Sequence, residues 1–595
     1  MFGGKVTTYY RMSEEQFEEM KKFYETLGYN KKQVKKLCGS CFGSEIRVEK
    51  NAAYSENWSF YRNIEHKFTP PARGKASGRA VADSYCEEDG MAEPMMFARS
   101  AMAAPMMSAP MMGGAQAAMP APGMGMAMMP MSEPAEFNTA ETHNAPENEE
   151  HSPLDQEQAI FSANVNTASW NYLRSRIARG KSVDPSFVRI EEIINSYHYK
   201  LKKPDNNELF SVSAESGACP WNDDSELLFL GFKGKKADKE CRQNLSLLVD
   251  VSGSMDDQWI LVQMSMAAIM SKLKKGDKIS VIAYSDETKT VVKQMDCEDP
   301  DECVKAICSV DGIGGCTNGS EGLENAYNYQ QKHFDENANN RVYIFTDGNF
   351  NFGLTSEGSL KDFISKKRES GIYLSIVGYG ESNFKDNKME TLAQNGNGNY
   401  TFVSNPYDIL DDLWEKLVSQ LVTVAKNVKI SVSFNPMLVK EYRLIGYDAR
   451  KLTQQEFHDT EKATDGIGSS HNVVALLELK RGKAEKKFAS RYTNTSVEGD
   501  QDELAFVEVH YQSPDGENLV MTKSVMLSEL KEAKRKNLTA AALLAGFGLL
   551  VKDSEYKGDM SKEKLAVLLK ETMTTPEEEK PEKWSHLDII RRYVK

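Results

Sequence analysis

Five residues have the types and spacing to hold a hard metal ion. Asp250, Ser252 and Ser254 occupy alternate positions of the run NLSLLVDVSGSM (244–255). Thr317 lies in the Gly-rich run GGCTNG (314–319), and Asp347 follows RVYIFT (341–346) in the pair Asp347-Gly348. Carboxylate and hydroxyl oxygens suit Mg²⁺ or Mn²⁺, not a soft metal. Each residue alone could cap a helix or a turn, as Ser, Thr and Asp commonly do. Capping does not account for the set, three oxygen-bearing loops in order, each beside the right kind of element.

Those elements can be read from the same runs. Leu245 to Val249 is a short apolar stretch of the kind a buried parallel strand shows. Beyond the loop, Ile260, Leu261, Met264, Ala267, Ala268, Met270 and Leu273 recur at helical spacing. The hydroxyls therefore sit where a strand's carboxyl end meets a helix, the edge at which open α/β sheets bind ligands. Strand-like runs recur at 278–284, 289–292, 342–346, 372–377 and 399–403. Helical patterns recur at 321–329, 360–369, 388–394 and 407–424. This alternation predicts a parallel, doubly wound, Rossmann-like α/β domain over 241–425.

Around it the pattern turns to β. Runs at 209–214 and 227–232, then VKISVSF, YRLIGY, VVALLEL and LAFVEVHYQ within 426–530, predict a β-sandwich. The α/β domain is expected as an insertion leaving two adjacent strands of that sandwich. The remaining divisions are a small, partly helical segment at 1–70, a linker at 71–155, a flanking region of helices and sandwich strands at 156–240, and C-terminal helices at 531–595. The linker is expected to be disordered. Half of the 28 methionines fall between Met91 and Met131, among prolines that break any helix. It reads as a tether; methionine clusters also suit Cu(I) or an adaptable partner surface.

At 595 residues the chain is too long for one core. A net charge of −14 argues against general affinity for nucleic acid or anionic membrane. The first twenty residues lack the apolar core of a signal peptide, and the longest apolar run, 538–551, is too short to span a bilayer. A cytoplasmic location with reduced thiols is the resulting expectation for the nine cysteines. Cys38 and Cys41 form a C-x-x-C pair that suits half a zinc site, a redox pair or incidental thiols. Cys297, Cys303, Cys308 and Cys316 crowd towards Thr317 and could gate binding there by forming a disulfide.

The D-x-S-x-S…T…D order resembles the metal-ion-dependent adhesion site of von Willebrand factor type A domains. The likeness extends through FSANVNTASW, VRIEEIIN, CPWN, LVDVSGSM, NRVYIFTDGNFNFG, NGNGNY, FNPMLVKEYRLIGY and FGLLVKDSEYKG. From Phe161 to about Lys557 the chain resembles a bacterial-type family that carries its own N-terminal flanking region and C-terminal domain around the A domain. Its relatives are often envelope-associated. The resemblance implies that Ser252, Ser254 and Thr317 bind the ion directly, while Asp250 and Asp347 hold it largely through water. An Asp or Glu carboxylate of a protein partner would complete the coordination. The expected function is cation-dependent protein binding, in adhesion or complex assembly, without enzymatic activity. A metal-dependent hydrolase is the alternative, but it needs a general base, and the three loops contain no histidine. A thiol-gated binding protein is the other.

Overall fold

The computed structural model describes residues 9–40, 45–49, 62–63 and 146–595. Within the last span 164–165, 206–207, 238–240, 311–318, 349–356, 381–385, 415–422, 461–463, 465, 485–500, 514–515, 533–534 and 574–580 are outside the description. Cys41, Cys316 and Thr317 therefore lie outside it, as does the expected linker as far as residue 145.

The N-terminal segment contains strand β1 (Tyr9–Ser13), helices α1 (Glu14–Thr26) and α2 (Lys31–Ser40), and strands β2 (Glu45–Glu49) and β3 (Arg62–Asn63). The sequence reading of this segment named no strands. Gly28, with φ of 91°, turns the chain between the helices in a left-handed conformation that glycine adopts without strain. Past residue 145 the chain is fixed earlier than its composition suggests. The Asn148 side chain donates to the carbonyls of Leu444 (3.0 Å) and Gly446 (2.6 Å). His151 and Tyr442 exchange backbone hydrogen bonds of 2.9 Å.

Strand β4 (Gln158–Ser162), helices α3 (Ala168–Ala178) and α4 (Ile190–Asn195), and strands β5 (Phe210–Ala218) and β6 (Glu226–Gly234) lead into the α/β domain. Its first half runs β7 (Arg242–Asp250), α5 (Trp259–Met270), β8 (Lys278–Tyr284), β9 (Thr288–Asp296) and α6 (Pro300–Cys308). Its second half runs α7 (Gly319–Lys332), β10 (Ala338–Thr346), α8 (Glu357–Glu369), β11 (Ile372–Tyr379), α9 (Asp386–Asn395) and β12 (Tyr400–Val403).

The sheet order is β12-β11-β10-β7-β8-β9. Leu245, Leu247 and Val249 of β7 face a core shared with α5, α6 and the N-terminal helices, while Leu248 faces the opposite core. Burial on both faces explains the unbroken apolar run. The expected all-parallel sheet needs one correction. Edge strand β9 is antiparallel to β8, because the turn joining them is too short for the crossover that parallel strands require.

Of the expected helix at 407–424, residues 407–414 are helical, 415–422 lie outside the described residues, and only 423–424 need a correction. The structure has a short helix at Pro406–Asp408, a π-helical turn at Ile409–Trp414, and strand β13 from Thr423 to Phe434. The β-branched Thr423 and Val424 suit the pleat of a strand.

The remaining strands are β14 (Val439–Ile445), β15 (Ile467–Gly468), β16 (Asn472–Arg481), β17 (Glu503–Gln512) and β18 (Asn518–Met526). One sheet has the order β15-β13-β17-β18 with β4 on β13; the other is β14-β16-β6-β5. Phe161, Ile430 and Val507 of the first sheet share a core with Leu228, Leu230 and Leu477 of the second, which makes the pair a sandwich. The chain leaves this sandwich from β6 and returns through β13, in the facing sheet. The expected exit from two adjacent strands is thereby corrected. Alternate residues of the second sheet, Leu227, Phe229, Val474 and Leu476, pack instead against the C-terminal helix Lys536–Lys552.

Candidate metal centre

Asp250 ends β7 at the point where the winding of the sheet reverses, with β8 on one side and β10 on the other. Tyr284 is its register partner on β8, and Thr346 ends β10. The Asp250 carboxylate accepts hydrogen bonds from the Ser252 backbone N–H (2.9 Å), the Tyr284 hydroxyl (3.1 Å) and the Thr346 hydroxyl (3.4 Å). The first of these fixes the turn that carries the serines. The Ser252 and Ser254 hydroxyl oxygens lie 3.2 Å apart; Ser252 is buried and Ser254 exposed. Asp347, one residue past β10, is also buried. Gly348 donates its N–H to the Thr346 hydroxyl at 3.1 Å, shaping that loop.

Four of the five predicted residues thus share one edge of the sheet, and Thr317 lies outside the described residues. Tyr284 and Thr346 were not among the five. Their signal is positional: each is the last residue of an apolar run ending at the same edge. Helix α7 comes close to the tyrosine because Gly322 has no side chain; a Cβ there would lie 2.9 Å from the Tyr284 ring.

The donor set can be tested for fit to a cation. Asp250 is fully buried, and its partners among the described residues are all neutral. Burial, and secondarily the charge of Asp347, push its carboxyl up to about 6 against the hydrogen bonds it accepts. A buried Asp250 met by neutral groups, with a second carboxylate and two hydroxyls beside it, supplies the hard oxygen that Mg²⁺ or Mn²⁺ requires. No group of three or more His, Cys, Asp or Glu capable of holding a metal occurs among the described residues. Two clefts, of about 590 Å³ beside His151 and about 280 Å³ beside Phe23, are lined by none of the five residues.

The model of the von Willebrand factor type A domain matches residues 244–416. A second model, described as von Willebrand factor, matches 136–229, and that of the C-terminal region of the uncharacterized protein YfbK matches 419–592. Uncharacterized protein YfbK of Escherichia coli (strain K12) is 31% identical over 418 residues, spanning 68% of this chain and 72% of that protein. The chain belongs to this bacterial von Willebrand A family. A second relative of this von Willebrand A protein, uncharacterized protein sll0103 of Synechocystis, is 25% identical over 254 residues, covering 42% of this chain and 59% of its own length. Among solved structures, a von Willebrand factor type A protein from Catenulispora acidiphila aligns with a TM-score of 0.37 and 12% identity, covering 63% of this chain and 88% of its own. The von Willebrand A domain suggests a protein-interaction module. No helix among the described residues is long and apolar enough to cross a membrane.

Proposed function

We propose that the chain is a divalent-cation-dependent protein-binding module. In this reading Asp250, Ser252, Ser254, Thr317 and Asp347 hold one Mg²⁺ or Mn²⁺, and a partner's Asp or Glu carboxylate completes the coordination. The observation that carries it is the fully buried Asp250, beside a second buried carboxylate and with only neutral partners among the described residues. A bound divalent ion supplies the missing positive charge and an electrophilic position facing the partner. The protein's own contribution is to keep few charges on the ion: two neutral hydroxyls near it, and a carboxylate whose orientation Tyr284 and Thr346 fix. Such a site serves capture of an anionic group. It offers no histidine among the described residues of the loops to activate water, so binding is the activity proposed.

Calorimetric titration of Mg²⁺ and Mn²⁺ into the full chain tests the cation claim. One site is expected in the parent, with affinity lower by roughly tenfold or more in Asp250→Ala. Equal binding by both proteins overturns the reading. For the partner claim, arrays of Asp- and Glu-containing peptides should be retained with Mg²⁺ and released by chelator, and their Asn and Gln counterparts should not be.

A further inference from the structure

Helix α2, KKQVKKLCGS, carries charge of one sign only. A capping box starts it. The Asn30 side chain accepts from the N–H groups of Lys32 (3.0 Å) and Gln33 (3.1 Å), and the Gln33 side chain accepts from the Asn30 N–H at 2.9 Å. The inner face holds the helix down. Val34, Leu37 and Cys38 enter the core shared with α5 and α6, and Gln33 Nε2 donates to Asp301 Oδ1 of α6 at 2.8 Å. Lys31, Lys32, Lys35 and Lys36 are left on the outer face, and all four are exposed.

These lysines work against their own helix. Lys31 and Lys32 occupy its first turn, where the macrodipole disfavours positive charge and no acidic residue offsets them. Lys31 with Lys35, and Lys32 with Lys36, are like charges one turn apart, a spacing that destabilises a helix. None of the four forms an ion pair among the described residues. The neighbouring helices mix their signs. On α1 the Lys21 ammonium lies 2.5 Å from Glu18, and Glu25 is exposed. On α6 Asp301 and Glu302 are exposed beside Lys305. The unbalanced positive surface is thus confined to α2, about 15 Å long at 1.5 Å per residue, on a chain of net charge −14.

We propose that the outer face of α2 is a docking surface for a short acidic segment of a partner protein. Charge complementarity sets the sign of the partner, since the four ammonium groups are uncompensated within the described chain. The extent of the patch sets its class. A bilayer or a long nucleic acid continues past α2 and meets the carboxylates of α1 and α6, within the reach of about 10 Å that screening leaves at ~0.1 M salt. A segment whose carboxylates span roughly 15 Å is matched by α2 alone. This proposal stands independently of the metal reading.

The test follows the fluorescence anisotropy of a labelled hexaglutamate peptide as the full chain is added at low salt. A chelator is present, so that no divalent ion at the metal edge contributes. The parent should bind hexaglutamate and not hexaglutamine, and added salt should weaken the complex. Lys31→Gln/Lys35→Gln should weaken it roughly threefold, and replacing all four lysines by Gln roughly tenfold or more. Lys200→Gln/Lys203→Gln, at two exposed lysines elsewhere, should leave it unchanged. The fourfold variant should unfold thermally no earlier than the parent, because repulsion along α2 is relieved. No binding by the parent, or equal affinity in the fourfold variant, overturns the proposal. So does an equal loss in the Lys200/Lys203 control, which would make net charge the cause. Tighter capture of phosphatidylserine vesicles or of a single-stranded oligonucleotide through the same lysines overturns the choice of partner. A fourfold variant that unfolds earlier assigns the lysines to the fold and overturns their role in docking.

Discussion

Buried carboxylates at two places in this protein are matched differently. Where the von Willebrand A domain meets its flanking regions, several buried carboxylates face arginine. Asp408, just past β12, lies 2.6 Å from Arg174 of α3. Glu390 of α9 pairs with Arg450 and with Arg189 at 3.3 Å. Within the sandwich, Glu478 lies 2.8 Å from Arg443. At the carboxyl edge of the sheet, Asp250 is as deeply buried and is met by an amide and two hydroxyls. Asp277 and Glu215 are also met by N–H donors alone, so what distinguishes Asp250 is that its neutral partners lie beside a second buried carboxylate at the carboxyl edge of the sheet.

The comparison can be broken from either side. The largest effect is expected from Arg174→Ala, which strands Asp408 inside the protein and should cost about 3–5 kcal/mol of unfolding free energy. Chemical denaturation measures it, and a loss below about 1 kcal/mol would mean that water already serves the pair. Next is Gly322→Ala, whose new Cβ would meet the Tyr284 ring at 2.9 Å. A cost of about 1–3 kcal/mol is expected, together with weaker cation binding as the tyrosine shifts away from Asp250.

Acid titration distinguishes the settings further. Burial alone would raise Glu478, but Arg443 and the bonds from Asn222 and Trp221 hold it below its ordinary 4.5. A depressed folded-state value means that its contribution is complete above 4.5 and is lost as pH falls towards the folded value. Stability measured from pH 5 downward should therefore fall less steeply in Arg443→Ala than in the parent. The smallest effect is expected at the metal edge. Asp250→Asn keeps the shape and removes a buried charge, so without divalent ions it should leave stability unchanged or raise it by up to about 1 kcal/mol.

These features differ in how far the sequence discloses them. The metal edge is legible because its determinants are local: an apolar strand, then oxygen-bearing residues at alternate positions, then a helix pattern. Alternation of periods likewise discloses the doubly wound sheet. Orientation at the edge is less accessible, since β9 has the alternation of a strand whichever way it pairs. The end of the expected helix at 407–424 differs for another reason: Thr423 and Val424 begin β13, whose first residues pair with β15 far along the chain. Matched charges such as Arg174 with Asp408 are separated by hundreds of residues, and no local pattern joins them. The packing of α1 and α2 on α5 left one unused trace. Only Gln263 and Ser265 interrupt the apolar run WILVQMSMAAIM, and a helix at the surface of an α/β domain without a polar face requires a cover from elsewhere in the chain.

The most direct test of the central claim is thermal unfolding of the full chain as Mg²⁺ is raised, beside Asp250→Asn. An ion that completes the buried carboxylate pair must stabilise the folded parent by mass action, by about 2.7 kcal/mol at a hundredfold excess over Kd. The parent's midpoint should climb with Mg²⁺ and then cross above a flat Asp250→Asn. A parent that does not respond, or a variant that climbs equally, would contradict the assignment of this edge as a cation site.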